Sequence, residues 1–292
     1  MTAAAPLPVV AGVDGSDVSV RAARFAAETA LRRGAPLRLV HASLDVADLL
    51  GTRADRVLES VAASLRAACS PVRIEWVVEQ GDPVDVLRSA SAGAQLVVVG
   101  GQGAGGTNAP RVGATAATLT RSARSPVIVL PDNTTSIVVR GRRSVVVGVD
   151  GSTHGDAVLE FAFAEAATRH TDLVAVHTWR TVSPARFESD GPLIDWAAVR
   201  ADEEKLLTDR LHGWQESRPD VVVREVIARG HAARSLLAAG LTAELLVIGQ
   251  RRRGPWGTLR STTRSVLRQA TGPIAVVPIT AGGHPSTDGA AR

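Results

Sequence analysis

The sequence predicts an α/β protein made of two tandem, open, doubly wound parallel sheets. Three observations lead to this fold class. The chain of 292 residues repeats itself once, each repeat alternates apolar β-branched runs with helical patterns, and glycine-containing turns follow the strongest of these runs. Such alternation favours a parallel sheet with helices on both faces, because each crossover connection packs back onto the sheet.

The repeat is visible as matched segments in the same order along the chain. Asp14 matches Asp150, for example, 136 residues further on. The matched segments are 8–42 with 145–178, 81–100 with 230–249, and 125–131 with 272–278. The predicted units are a first domain at 1–131, a linker at 132–143, a second domain at 144–279 and a disordered tail at 280–292.

Each repeat is predicted to hold five strands with helices between them. The first strand ends at an Asp-Gly-Ser turn that offers an N-cap to the alanine-rich helix after it. A glycine-rich loop and another helix separate the fourth strand from the fifth. The predicted strands are 9–13, 37–42, 72–79, 96–99 and 127–130 in the first repeat, and 145–149, 173–178, 221–228, 245–248 and 274–277 in the second.

Composition and charge exclude several classes of protein. The isoelectric point is near 10.6, although the net charge is only +4. It is high because Lys205 is the one lysine and tyrosine is absent, so that few groups titrate between histidine and arginine. We therefore expect no nucleic-acid partner. A single cysteine, Cys69, excludes a disulfide framework and a multi-cysteine metal site. Without a visible secretory signal or a long apolar run, we expect a cytoplasmic protein with no membrane partner.

The residues suited to ligand binding follow strand ends, where ligands gather in open α/β sheets. Asp14 and Asp150 end the first strand of each repeat, and residues 100–115 form a glycine-rich loop. Glycines allow positive φ and leave backbone N–H groups unobstructed, and a helix start near Gly113 adds a positive dipole end. The loop is therefore a candidate phosphate cradle, with a merely flexible loop as the alternative.

Two further patterns point to chemistry less strongly. Gly101, Gly103 and Gly106 satisfy G-x-G-x-x-G, but the pattern follows the fourth strand instead of the first, which argues against a dinucleotide and hydride transfer. His41 and His177 end equivalent strands and are candidate bases, although packing near the ligand edge is the favoured interpretation.

The order and spacing of these features resemble the universal stress protein family in its tandem two-domain form. The family's nucleotide loop has the spacing G-2x-G-9x-G-[ST], which Gly100, Gly103 and Gly113 keep. Ala114 stands where the family has Ser or Thr. The missing hydroxyl removes one hydrogen bond, worth about 0.5–1.5 kcal/mol.

The resemblance implies the universal stress protein fold, which is similar to that of adenine nucleotide alpha hydrolases, and it implies ATP as ligand with Mg²⁺ as helper ion. Gly12 and Asp14 would border the adenosine, and the backbone near Ala42 would face the adenine. The glycine-rich loop would hold ribose and triphosphate. The implied site residues of the first repeat are Gly12, Asp14, Ala42, Gly100, Gly101, Gly103, Gly105, Gly106, Gly113, Ala114 and Thr115.

The second repeat departs from the family pattern. Arg252 stands where the second glycine belongs, and three consecutive guanidiniums at 251–253 suit phosphate. This half either binds nucleotide in a modified way or is a degenerate structural partner. Its implied site residues are Gly148, Asp150, Gly249, Arg251, Arg252, Arg253, Gly254, Ser261 and Thr262.

The implied function is a nucleotide-dependent binding protein of the stress response, whose partners read a surface that nucleotide changes. No catalytic residue is assigned, and at most slow ATP hydrolysis is expected. The domains would pair as an intramolecular pseudo-dimer able to form homodimers. Two alternatives remain: an adenylate-transferring or flavin-binding enzyme of a related fold, and a nucleotide-free scaffold.

Overall fold

A computed structural model describes most of the chain. The described residues are 6–44, 54–69, 71–103, 112–132, 144–152, 155–179, 195–251 and 261–279. The predicted tail and all but the first residue of the predicted linker lie outside these ranges.

The two halves contain corresponding elements in the same order. The first half has β1 (Val9–Gly12), α1 (Asp17–Arg32), β2 (Leu37–Ser43), α2 (Ala54–Ala68), β3 (Ile74–Gln80), α3 (Pro83–Ala90), β4 (Leu96–Gly100), α4 (Ala114–Ser122) and β5 (Val127–Leu130). The second half has β6 (Ser144–Val149), α5 (Asp156–Arg169), β7 (Asp172–Trp179), α6 (Trp196–Ser217), β8 (Val223–Arg229), α7 (Ala232–Gly240), β9 (Leu245–Arg251), α8 (Ser261–Gln269) and β10 (Ile274–Ile279).

The described strands form one ten-stranded sheet in the order β3-β2-β1-β4-β5-β10-β9-β6-β7-β8. Neighbouring strands within each half are parallel. The order reverses between β1 and β4, and again between β6 and β9, so that each half has a crevice at the carboxyl ends of those strands. The α/β doubly wound prediction is confirmed, but the two predicted sheets are joined edge to edge into one.

Helices cover both faces of this sheet. One apolar layer contains the alanines of α1 together with residues of α2, α5 and α6. The opposite layer contains residues of α3, α4, α7 and α8. The fully buried alanines of α1 are Ala22, Ala23, Ala26 and Ala30. Because their side chains are short, α1 can lie close to β1 and β4. No helix among the described residues is long and apolar enough to cross a membrane.

The halves join through β5 and β10, which pair antiparallel. Val127 pairs with Val276, Ile128 with Ala275, and Val129 with Ile274. In the segment match, Ile274 is the counterpart of Val127 and Val276 that of Val129. The register is therefore symmetric about the Ile128–Ala275 pair, as in the contact between two copies related by a twofold axis.

A buried ionic cluster links α1 to α5 beside this strand pair. Arg33 Nε donates to Glu165 Oε1 at 3.1 Å, and Arg169 Nε donates to Glu165 Oε2 at 2.8 Å. The Arg33 guanidinium lies 5.5 Å from the centroid of the Phe161 ring, and that of Arg169 lies 5.2 Å from the Phe25 ring. Because Arg169 and Phe161 follow Arg33 and Phe25 by 136 residues, the two cation–π contacts are reciprocal across the junction.

The carboxyl group of Glu165 is ionised within this cluster. Burial raises the pKa of Glu165, but the positive charges and hydrogen bonds of Arg169 and Arg33 outweigh burial and hold the pKa below its ordinary value. Its counterpart in the first half is Thr29, whose hydroxyl donates to the Phe25 carbonyl. One carboxylate therefore neutralises an arginine from each half.

The last two strands of the second half run further than predicted. β9 continues to Arg251 and β10 to Ile279, with Gly249, Gln250 and Arg251 paired to Val277, Pro278 and Ile279. In the first half the corresponding pairing stops at Gly100 and Leu130. The fourth strand of the first half thus ends early, where the sequence is Gly-Gly. The equivalent strand of the second half continues, because Gln250 and Arg251 favour a strand more than glycine does.

Candidate functional site

A cavity of about 430 Å³ opens at the carboxyl ends of β1, β2 and β4 in the first half. This size lies within the range of small-molecule sites. All nine described residues that the sequence assigned to the first-half site line it: Gly12, Asp14, Ala42, Gly100, Gly101, Gly103, Gly113, Ala114 and Thr115. Gly105 and Gly106 lie outside the described residues.

One wall of the cavity is the turn that follows β1. Asp14 Oδ1 accepts from the backbone N–H of Ser16 at 3.0 Å and from its hydroxyl at 2.6 Å. Ser16 Oγ in turn accepts from the Ser19 N–H and caps α1, as the sequence predicted. These bonds fix the Asp14 carboxylate at the cavity rim beside the start of α1.

The opposite wall is the glycine-rich segment after β4. Gly101 N–H donates to the Leu130 carbonyl at 2.6 Å, and Gly113 N–H donates to the Gly101 carbonyl at 2.6 Å. These bonds hold both ends of the loop against β5. Gly113 is the N-cap of α4 and has φ −61°, so the first backbone N–H groups of that helix begin at the cavity edge.

Glycine is required at Gly100 and Gly101 for close approach and not for a positive φ. None of Gly100, Gly101, Gly103 and Gly113 has φ in the left-handed range. A Cβ would instead lie 2.9 Å from Val18 Cγ1 at Gly100 and 2.9 Å from the Leu130 carbonyl oxygen at Gly101. Backbone and side chains crowd these positions more closely than real Cβ atoms allow.

Gly103 brings the two walls together. A Cβ at this position would lie 2.7 Å from Asp14 Oδ2. Any side chain at residue 103 would therefore point at the carboxylate and narrow the cavity between the β1 turn and the loop. Gly103 and Asp14 therefore form one continuous part of the cavity wall, although they are 89 positions apart in the sequence.

The remaining surface of the cavity is largely apolar and was not predicted. Val40 lies two residues before Ala42 on β2, and Pro83 and Leu87 on α3 face the same space. The two-residue period of a strand could have identified Val40 from Ala42. The α3 residues carry no comparable signal, because their position depends on how α3 packs across the sheet.

The second half has a smaller cavity of about 120 Å³ at the equivalent place. Gly148, Asp150, Gly249 and Thr262 line it, whereas Arg251 and Ser261 are described but are not among its lining residues. Arg252, Arg253 and Gly254 lie outside the described residues. The structure therefore brings together only part of the predicted second-half set.

Two arginines converge on the Asp150–Ser152 turn in this half. Arg251 Nη2 donates to Ser152 Oγ at 2.9 Å, and that hydroxyl donates to Asp150 Oδ1 at 2.7 Å. Arg210 Nη2, from α6, donates to the Ser152 carbonyl at 3.2 Å and to Asp156 Oδ1 at 2.6 Å. Sequence reasoning missed Arg210, because it comes from a helix in the variable region of the repeat.

Ser152 does not cap the following helix, unlike its counterpart Ser16. The N-cap of α5 is Gly155, without a side-chain hydrogen bond. Gly155 replaces Ser19 of the first half, whose hydroxyl donates to the Ser16 carbonyl. The turn after β6 keeps its own Asp150–Ser152 bonds and a bond from the Gly155 N–H to the Ser152 carbonyl, and the arginines add to these bonds.

The strand-end histidines pack against the backbone. Nδ1 of His41 lies 2.7 Å from the Val13 carbonyl oxygen, and Nδ1 of His177 lies 2.9 Å from that of Val149. His177 Nε2 also contacts Glu203 of α6 at 2.8 Å. Neither histidine lines the described cavities, and these contacts agree with a packing role. Among the described residues there is no cluster of three or more potential metal ligands from His, Cys, Asp and Glu.

Comparison with known proteins agrees with this architecture. The model of the universal stress protein family matches residues 7–131 and again 141–278. A universal stress protein of Mycobacterium tuberculosis is 34% identical over 292 aligned residues, covering 92% of this chain and 96% of that protein.

Solved structures give the same fold. A universal stress protein from Archaeoglobus fulgidus superposes with a TM-score of 0.70 at 19% identity, over 93% of this chain and 98% of its own. A universal stress protein solved in complex with cAMP matches 42% of this chain and 96% of its own, with 26% identity and a TM-score of 0.36. With two family matches in tandem and a relative similar over nearly its full length, this chain belongs to the universal stress protein family.

Proposed function

We propose that the first half binds ATP and that the protein is a nucleotide-dependent regulatory protein of the stress response. The observation that carries this proposal is the cavity at the strand reversal. There Asp14 lies next to Gly103 of the glycine-rich segment, whose glycines pack closely against their neighbours. Backbone N–H groups without Cβ obstruction, next to a helix N-terminus, suit an anionic phosphate chain.

The two ends of the cavity suit the two ends of the nucleotide. Val40, Ala42 and Leu87 offer an apolar surface for the adenine ring. The segment at Gly100–Gly103 and the start of α4 at Gly113 provide the polar end, for ribose and triphosphate. Mg²⁺ would arrive with the phosphates, and we assign it no protein ligand. Occupancy would alter the surface above the cavity.

Binding, with at most slow hydrolysis, is the activity these residues support. Phosphoryl transfer is commonly assisted by a lysine or arginine that stabilises charge on the transferring group. The single lysine of the chain, Lys205, lies on α6 in the second half. No described lining residue of the first cavity is cationic.

We also propose that the halves act as an intramolecular pseudo-dimer in the cytoplasm, able to associate further into homodimers. The symmetric β5–β10 register and the reciprocal Arg–Phe contacts support this arrangement. An isologous contact of this kind places each half in the same environment relative to the other. We assign no nucleic-acid or membrane partner.

Calorimetric titration of the intact protein with MgATP tests the proposal. Wild type is expected to bind, and Gly103→Arg is expected to lose binding, because the side chain would enter the space between the loop and Asp14. Gly93→Arg is the matched control, since a Cβ there meets nothing within 4 Å. Absence of ATP binding by wild type, or equal binding by Gly103→Arg, would overturn the proposal.

Mass spectrometry of small molecules released from freshly purified protein separates this function from its alternatives. An adenine nucleotide bound to wild type and absent from Gly103→Arg supports the proposal. A flavin, or release of pyrophosphate during turnover, would contradict it and favour an enzyme. A preparation that neither carries nor takes up nucleotide would favour a scaffold.

A further inference from the structure

We infer that the second half is closed to nucleotide by its own arginines, so that the intact chain binds one ATP. This inference rests on the proposed function of the first half and concerns its stoichiometry. The residues that decide it are Arg251 and Arg210, which hold the turn where the first half presents Asp14 to the cavity.

Arg251 occupies the position that Gln102 has in the first half, 149 residues earlier. Gln102 lines the first cavity. Arg251 instead remains in β9 and extends its side chain across to Ser152 Oγ. The end of β9 is thus tied to the turn after β6 by a charge-assisted bond, whereas in the first half Gly103 approaches Asp14 with no side chain of its own.

Arg210 adds a second tie from another direction. With the offset of 149 residues that relates 81–100 to 230–249, its counterpart on α2 is Val61, which is buried in the apolar layer. The acceptor Asp156 likewise replaces Val20. Two apolar positions of the first half have therefore become an ion pair that binds α6 to the start of α5 and to the Ser152 carbonyl.

The longer pairing of β9 with β10 closes the base of the second cavity. A Cβ at Gly249 would lie 2.6 Å from Ile279 Cδ1 and 2.9 Å from Val158 Cγ2. The position of Ile279 corresponds to Asp132 in the first half, where the strand has already ended and the side chain is exposed. An isoleucine side chain therefore narrows the second cavity beside Gly249, at a place where the first half has an exposed aspartate.

These contacts account for the difference between about 430 and about 120 Å³. A nucleotide entering the second half would have to break the Arg251–Ser152 bond and displace Ile279 from Gly249. Nucleotide binding in the first half requires neither change. We therefore expect occupancy to differ between the halves, although the sheet beneath them is the same.

Equilibrium dialysis of the intact protein against labelled ATP measures the stoichiometry. Wild type is expected to saturate at one nucleotide per chain, and Gly103→Arg, which blocks the first half, is expected to bind none. Two nucleotides on wild type, with one of them retained by Gly103→Arg, would overturn this inference while leaving ATP binding by the first half intact. Failure of wild type to bind any nucleotide would instead overturn the proposed function.

Hydrogen exchange of wild-type protein gives a second readout that does not depend on a variant folding. Saturating ATP is expected to slow exchange in peptides covering 12–19 and 100–103. Peptides covering 148–152 and 245–251 are expected to exchange at unchanged rates. Equal slowing in both sets would show that the arginines yield to nucleotide, and it would contradict a closed second half.

Discussion

The two halves share a sheet order and differ in what fills the crevice at its strand reversal. In the first half, the turn after β1 is fixed by its own serines, and after β4 Gly101 packs against the Leu130 carbonyl and Gly103 against Asp14. In the second half, the corresponding serine–aspartate bonds are present, and arginines from α6 and β9 additionally bind the turn. The comparison teaches that side chains can narrow a crevice while the sheet that forms it is retained.

The ionic cluster between the halves shows a similar division of roles. Arg33 and Arg169 are equivalent residues and make equivalent contacts with Phe161 and Phe25. The acid that neutralises both, Glu165, exists in one half only, since the other half has Thr29 there. A symmetric contact between halves has thus acquired an asymmetric, buried charge.

The largest effect is expected from Glu165→Gln, which removes the charge shared by Arg33 and Arg169. Two largely buried guanidiniums would lose the carboxylate they share, although Arg169 keeps another acidic partner, Glu244, and the free energy of unfolding should fall by about 3 kcal/mol. Chemical denaturation measures the loss, with Glu160→Gln on the exposed side of the same helix as control. A loss equal to that of the control would show that the cluster does not stabilise the junction.

The same carboxylate predicts a pH dependence. Because the folded-state pKa of Glu165 is held below its ordinary value by Arg169 and Arg33 despite burial, its contribution is present above the unfolded pKa of 4.5 and is lost as pH falls through the folded value. Wild type should therefore lose more stability than Glu165→Gln when the pH is lowered from neutral into this acid range. Parallel curves for the two proteins would contradict an ionised Glu165.

Replacing the glycine at Gly249 or at Gly100 with alanine should show that the two halves have different roles in ATP binding. In Gly249→Ala, the added methyl would clash with Ile279 and Val158 and should cost about 1–3 kcal/mol of stability, while ATP affinity stays unchanged. Gly100→Ala, which crowds Val18 and the adjoining backbone, should lower both stability and ATP affinity. Denaturation and calorimetry of both variants check this. If Gly249→Ala bound ATP more weakly under conditions in which it is fully folded, the halves would not have separate roles in ATP binding.

The serines of the two turns should behave differently when truncated. Ser16→Ala removes the α1 cap and a hydrogen bond to Asp14, and should cost about 1 kcal/mol of stability together with ATP affinity. Ser152→Ala removes a bond to Arg251 and should leave ATP affinity unchanged. Equal effects of the two substitutions on ATP affinity would indicate that both turns bind nucleotide.

The smallest effect is expected at the start of α4. Ala114→Ser adds a hydroxyl at the cavity edge and should strengthen ATP binding by about 0.5–1.5 kcal/mol, which is roughly a two- to tenfold decrease in Kd. Ala117→Ser, one turn further along the helix and outside the cavity lining, is the control. The same change in both variants would mean that the added hydroxyl acts on the helix and not on the ligand.

Local and periodic features of the fold could be predicted from the sequence. Matched segments identified the halves, and apolar runs located every strand of the described sheet, with errors at their ends. The spacing of Gly100, Gly103 and Gly113 selected residues that the fold brings to one cavity. The strand predictions were correct, and these residues lie at one cavity, because repeat order and strand ends determine which residues meet at the crevice.

Features that depend on packing between distant elements could not be predicted. The role of Arg210 requires the orientation of α6 over α5, and that of Glu165 requires the pairing of the halves. In the sequence, Gly101 suggests a need for conformational freedom. In the structure, glycine is needed there because a Cβ would crowd the Leu130 carbonyl, 29 residues away. The extension of β9 through Gln250 likewise follows from its pairing with β10.

Photolabelling of the intact protein with 8-azido-ATP, followed by mapping of the labelled peptides, tests most directly whether the halves differ as proposed. Label is expected in peptides covering 37–44 and 83–90 of the first half, and excess unmodified ATP should abolish it. Label at comparable yield in 172–179 or 232–240 of the second half, with the same protection by ATP, would contradict the account.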